Sequence, residues 1–226
     1  MARKLEHDLS DLKDRVLRMG SLVEDAIRKS IKALVERDRD LALAVIDGDA
    51  VINTHDVEIE EECIRLLALW QPTGSNLRFI TTAIKIITDL ERMGDLAVDI
   101  CERTIELLEE PQLKPYIDIP RMAEAAQKML KDSLDAFVEK DADLAMKVCE
   151  ADDFVDNLNQ QIFNELLVYM LQDPKNISRA VRLTYVAKYL ERIGDHATNI
   201  AEMVVYMVKG KVIRHMACEM RDPEKK

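Results

Sequence analysis

The chain holds a single tryptophan, and aromatic residues fill only 4% of its 226 positions. Glycine and proline are scarce too, at six each. Strand-rich folds need aromatic and β-branched runs punctuated by Gly/Pro turns, so a β fold is disfavoured. No apolar run approaches the ~20 residues of a membrane-spanning helix. Nothing after Met1-Ala2-Arg3-Lys4 reads as a secretory leader. Cys63, Cys101, Cys149 and Cys218 are widely spaced and form no Cys-x-x-Cys pair, which argues against a thiolate zinc site. They read as small buried hydrophobes of a cytoplasmic protein. A net charge of −11 without a Lys/Arg stripe argues against a nucleic-acid binder. It suits hard cations or a basic protein partner. Also missing are a Gly-rich phosphate loop and any arguable Ser-His-Asp set, so an enzyme is not expected.

Ala, Leu, Glu, Lys, Met and Arg are abundant, and these are strong helix formers. From Leu5 through Leu9, Leu12, Val16, Met19, Val23, Ile27 and Ile31 to Leu34, apolar residues recur every three or four positions. That is one apolar helix face. Further helices are predicted over about 41–69, 76–109, 121–138, 142–171 and up to 208. Asp38 is placed as the N-cap of the second helix and Ser75 as the cap of the third. The stretch 110–120 carries Pro111, Pro115 and Pro120 and marks a boundary between halves. The chain divides into 1–112, 113–212 and a polar tail, 213–226.

The two halves repeat each other. Val35 to Ala42 matches Val138 to Ala145 at an offset of 103, and Leu90-Glu91-Arg92-Met93-Gly94-Asp95 returns as Leu190-Glu191-Arg192-Ile193-Gly194-Asp195 at an offset of 100. The fold class is therefore all-α, with two pseudo-symmetric antiparallel three-helix bundles built from six long helices.

Within each repeat, carboxylates recur at helical spacing. Glu91, Asp95, Asp99 and Glu102 form one strip, and Glu191, Asp195, Asn199 and Glu202 form its counterpart. On a helical wheel each strip lies nearly opposite the core face. Like charges four apart repel by roughly 0.2–0.5 kcal/mol per pair, and a glycine inside a helix costs about 1 kcal/mol. Neither Glu91 nor Asp95 has a Lys or Arg four residues away. The middle helix of each half adds a second wall, Asp49 and Asn53 in the first and Asp152 and Asp156 in the second. Oxygen ligands so arranged chelate cations such as Mg, Mn, Fe or Ca. His196 is a further candidate for the second site. A bland alternative is a solvated acidic face, with Gly94 and Gly194 serving close helix approach. The Glu-x-x-His element of di-iron carboxylate enzymes is absent.

Leu67-Ala68-Leu69-Trp70-Gln71-Pro72, Asn76-Leu77-Arg78-Phe79-Ile80 and Lys85 to Asp95 resemble the PhoU phosphate-transport regulators, as does Gly210 to His215. The resemblance implies a negative regulator of the phosphate-starvation response. Such a protein would be an adaptor between the ATPase of a phosphate ABC transporter and a sensor histidine kinase, reaching the membrane only through them. It also implies metal clusters, iron among them, with Mn, Mg, Zn and Ca left open. Carried onto this chain, the ligands are Glu91, Asp95 and Asp99 in one site and Glu191, Asp195 and Asn199 in the other. Asp49, Asn53, Asp152 and Asp156 rest on spacing alone. A homodimer is expected, though the amphipathic first helices can pack internally or between copies.

Overall fold

The computed structural model describes residues 2–210, so the 213–226 tail, His215 and Cys218 lie outside the described residues. Six helices follow in order: α1 (Ala2–Glu36), α2 (Arg39–Trp70), α3 (Gly74–Leu108), α4 (Asp118–Glu139), α5 (Ala142–Gln172) and α6 (Ile177–Lys209). No strand occurs among the described residues. The architecture is the expected all-α bundle. At 1.5 Å per residue, the 35-residue α1 and α3 each run to about 52 Å.

Local chemistry sets most of the helix ends. Asp38 accepts a hydrogen bond from the Leu41 backbone N–H at 2.9 Å, and Asp141 accepts from Asp143 and Leu144 in the same way. Just before each cap, Arg37 and Lys140 take left-handed φ values of 57° and 55°, ending α1 and α4. The Arg37 guanidinium donates to the carbonyls of Leu107, Leu108 and Glu110, covering the negative end of α3. Two sequence expectations fail at helix starts. Ser75 caps nothing, because α3 already begins at Gly74 with Thr73 at the N-cap position. Pro120 belongs to α4 and not to the linker, because a first helical turn has no use for the amide hydrogen that proline lacks.

The halves share one core. α1 packs on α2, α3 and α4; α3 packs also on α2 and α6; α6 packs on α3, α4 and α5. Thus α1, α3, α4 and α6 form a central layer flanked by α2 on one side and α5 on the other. The apolar face of α1 is used internally: Leu12, Val16, Met19, Val23 and Ile27 are fully buried. α3 and α6 run antiparallel through the centre. Arg78 near the start of α3 donates to the Met207 carbonyl near the end of α6, and Arg182 near the start of α6 pairs with Glu106. Cys63, Cys101 and Cys149 are buried and form no disulfide among the described residues, as the sequence suggested, and burial pushes Cys63 and Cys101 up to about 12.

Candidate metal centre

In the first half, antiparallel packing of α2 on α3 sets Asp49, Asn53 and Asp56 beside Glu91 and Asp95. The contact is close because of glycine. A Cβ on Gly94 would stand 3.2 Å from Asp49 Oδ1 and 3.2 Å from Ile52 Cδ1. The second half repeats this, with a Gly194 Cβ 3.4 Å from Asp152 Oδ1 and 3.4 Å from Val155 Cγ1. The duplicated glycine therefore does what its bland reading required: it lets an acidic helix approach the carboxylate ladder.

Carboxylates brought this near raise one another's proton affinity. Burial, then the Asp95 charge, pushes Glu91 upward, with Asp56 and Asp49 adding to the push. Burial also raises Asp49, aided by Asp95, and raises Asp56, aided by Glu60. In the second half burial and Glu191 together raise both Asp156 and Asp195. Glu91, Asp95, Asp99, Glu191 and Glu202 are partly buried by neighbouring helices, whereas Glu102, Asp195 and Asn199 are exposed as the wheel expects. A wheel drawn for one helix misses this because α3 is covered on three sides.

Cations do compensate in part. Arg92 stands 3.4 Å from Glu91 and 3.1 Å from Asp95, pairing with the latter at a spacing of three rather than four. Lys188 pairs with Glu191, and Asn159 donates to Glu191 at 3.1 Å. Asp56 and Asn159 were not anticipated from sequence. They occupy matching positions under the 103-residue offset, which is the signal that points to them.

Three candidates face elsewhere. The Asn199 amide donates to Asp89 on α3 at 3.3 Å, and His196 Nδ1 lies 2.7 Å from the same carboxylate. The charge of Arg192 on α6 acts on Asp99, and that of Asp99 acts on Tyr189. Asp99, Asn199 and His196 therefore line the α3–α6 seam, while the other candidates line the outer clefts. Among the described residues, no group of three or more His, Cys, Asp or Glu side chains is arranged to hold a metal ion as it stands. The donor set still fits one. Asp49 Oδ1 is buried with no hydrogen-bond donor among the described residues, and a cation is one partner that would satisfy it. The neighbouring Glu91 and Asp95 carboxylates offer oxygen ligands of the hard type, while Ile52 packs on the Gly94 side of Asp49.

The comparisons with known proteins agree in one direction. A family model described as "PhoU domain" matches twice, over residues 16–104 and 119–204. The chain belongs to the PhoU family. The two PhoU matches fall on α1–α3 and α4–α6, one on each side of the linker. The chain is 47% identical over 212 residues to a "Phosphate-specific transport system accessory protein PhoU homolog" of Aquifex aeolicus, covering 94% of this chain and 96% of that one. The crystal structure of PhoU from Pseudomonas aeruginosa matches with a TM-score of 0.87 at 41% identity, over 91% of this chain and 99% of that chain. PhoU from Streptococcus pneumoniae, described as a phosphate transport system regulatory protein, matches at 0.85 and 29%, over 92% and 98%.

One expectation follows from the raised carboxyls of this PhoU fold. They hold protons more tightly in the folded than in the unfolded chain. Without divalent cations, stability should fall as pH rises from the ordinary values of 3.8 for Asp and 4.5 for Glu through the raised ones. Glu91→Gln removes one such group. Melting temperatures of the two proteins in chelator should diverge in the variant's favour as pH climbs to neutrality. Parallel curves would show that Glu91 carries no such penalty.

Proposed function

We propose that this chain is an accessory regulator of phosphate-specific transport, a metal-binding adaptor that restrains the phosphate-starvation response. It acts from the cytoplasm, as a homodimer, between the ATPase of a phosphate ABC transporter and a sensor histidine kinase. The observation that carries the reading is family membership over both halves, joined to a carboxylate cleft present in each. Asp49, Asp56, Glu91 and Asp95 would hold an ion in the first cleft, and Asp152, Asp156, Glu191 and Asp195 in the second. An ion there would neutralise an acidic surface and fix α2 on α3 and α5 on α6. Iron or another cation that accepts carboxylate oxygens suits the donors.

No helix among the described residues is long and apolar enough to cross a membrane, which accords with a partner-borne route to it. A carboxylate-bridged metal store or metalloenzyme is the second reading, favoured by the same oxygen donors. The test is retention of the purified transporter ATPase and of the kinase's cytoplasmic part by immobilised protein, with Mn or Fe and then with chelator. Retention that chelator weakens is expected. Loss of both partners under every metal and phosphate condition overturns the adaptor reading. Metal-dependent turnover that Asp95→Ala abolishes would favour the enzyme.

A further inference from the structure

The internal repeat supplies a control for its own surface. On α5, Phe163, Leu167 and Leu171 recur every four residues, and on α6, Ile177, Val181 and Tyr185 do the same. All six are solvent-exposed, from 39% for Val181 to 78% for Leu171. The two helices pack together and are joined by the short turn at Pro174–Asn176, which brings the exposed stripes of α5 and α6 to the same end of the pair, with Tyr185 stacked on Tyr189. Residues four apart lie on one helix face. The corresponding first-half positions hold Glu60, Ile64, Ala68, Leu77, Thr81 and Lys85. At four of the six positions the same helix pair thus folds with charged, small or polar residues, while Ile64 and Leu77 stay apolar and exposed. Packing does not require the apolar set.

Exposed apolar side chains gathered on one helix pair mark an interaction site where they form a continuous patch. In a chain that is 33% charged, the patch positions carry no charge at all. Beyond Tyr185 the groove changes character, passing Lys188 and reaching Asp156, Glu191 and Asp195. An occupant must match both parts.

We propose that the α5–α6 groove is a docking site for an amphipathic helix of a partner protein, with an apolar stripe over Leu167 and Val181 and Lys or Arg in the turn above Asp156 and Glu191. Helix-in-groove recognition uses such i, i+4 anchors, and the acidic end fixes the direction in which the helix lies. The proposal rests on the adaptor reading only in taking the occupant to be a protein. An ion on Asp156, Glu191 and Asp195 would compete with the basic end of that helix, so docking requires the second cleft free of metal and is measured in chelator.

The full chain is titrated by fluorescence anisotropy with a labelled 18-residue helical peptide carrying Leu at i, i+4, i+7 and i+11 and Lys at one end. A second peptide carries Glu in place of Lys. The test variant takes its replacements from the first half: Phe163→Glu, Leu171→Ala, Val181→Thr and Tyr185→Lys. Because the sister helices already carry these residues, the variant should melt normally. We expect micromolar binding of the Lys peptide, roughly tenfold or more weaker binding of the Glu peptide, and a similar loss in the variant. Equal binding of both peptides, or binding untouched by the four replacements, overturns the proposal. So does a concentration-dependent dimer that the replacements convert to monomer, since a second copy would then be the occupant. If the transporter ATPase is retained equally by both proteins and no peptide binds, the groove proposal falls and the adaptor reading stands.

Discussion

Gly94→Val should destabilise the protein by roughly 2–3 kcal/mol, a typical overpacking cost, and lower its melting temperature by about 5–10 °C. A Cβ alone at this position stands 3.2 Å from both Asp49 Oδ1 and Ile52 Cδ1. Valine adds two further methyl groups beside contacts that are already tight, so the Asp49 and Ile52 side chains must give way. Against this stands the better helix propensity of a residue with a side chain, which offsets about 0.5–1 kcal/mol. The comparison is Gly48→Ala on α2, where a Cβ meets nothing within 4 Å. There only the propensity gain remains, and stability should rise by about 0.5–1 kcal/mol. Opposite signs in chemical denaturation are the expected result. A neutral Gly94→Val would show that the duplicated glycine is not what permits the close approach.

The second large effect concerns ions. Glu91→Gln and Asp95→Asn combined with Glu191→Gln and Asp195→Asn should leave the helical fold intact and raise stability slightly in chelator. Like-charge relief contributes a few tenths of a kcal/mol per pair. The lost pair of Arg92 with Asp95 is exposed and offsets little of that. Cation affinity should collapse, because removing ligands costs more than the roughly 10–100-fold that losing a supporting group costs. Calorimetric titration with Mn and metal analysis after iron loading give the readout. Unchanged uptake by the quadruple variant would remove the clefts as ion sites. A large fall in stability in chelator would instead make these carboxylates structural partners.

The six helices were legible because apolar residues recur at a helical period over long stretches, and Asp38 was legible as a cap because its short carboxylate reaches back to a free N–H. The repeat offset made Asp49 and Asp152 equivalent before any coordinates, and each proves to sit against the glycine of its own half. Asp56 escaped notice because it stands beside a run of acids from Glu58 to Glu62, where one more carboxylate carries no contrast. Only the antiparallel partner helix singles it out, through its effect on Glu91. Asn199 and His196 share the sequence setting of the ladder, yet they turn toward Asp89, because α6 meets a second helix at that height. A wheel describes one helix in water. It does not contain the neighbours that decide which flank of a strip is used.

The layering of the bundle has a consequence for motion. α2 and α5 each lean on the central helices from one side only. Such flanks have the least to lose on opening, so their amides should exchange with deuterium before those of α3 and α6. Each flank also carries half of a charged cleft whose other half is anchored at the centre. An ion bound there would act as a latch, and its arrival should register as slowed exchange along the whole of 39–70 and 142–172, many turns away from the carboxylates.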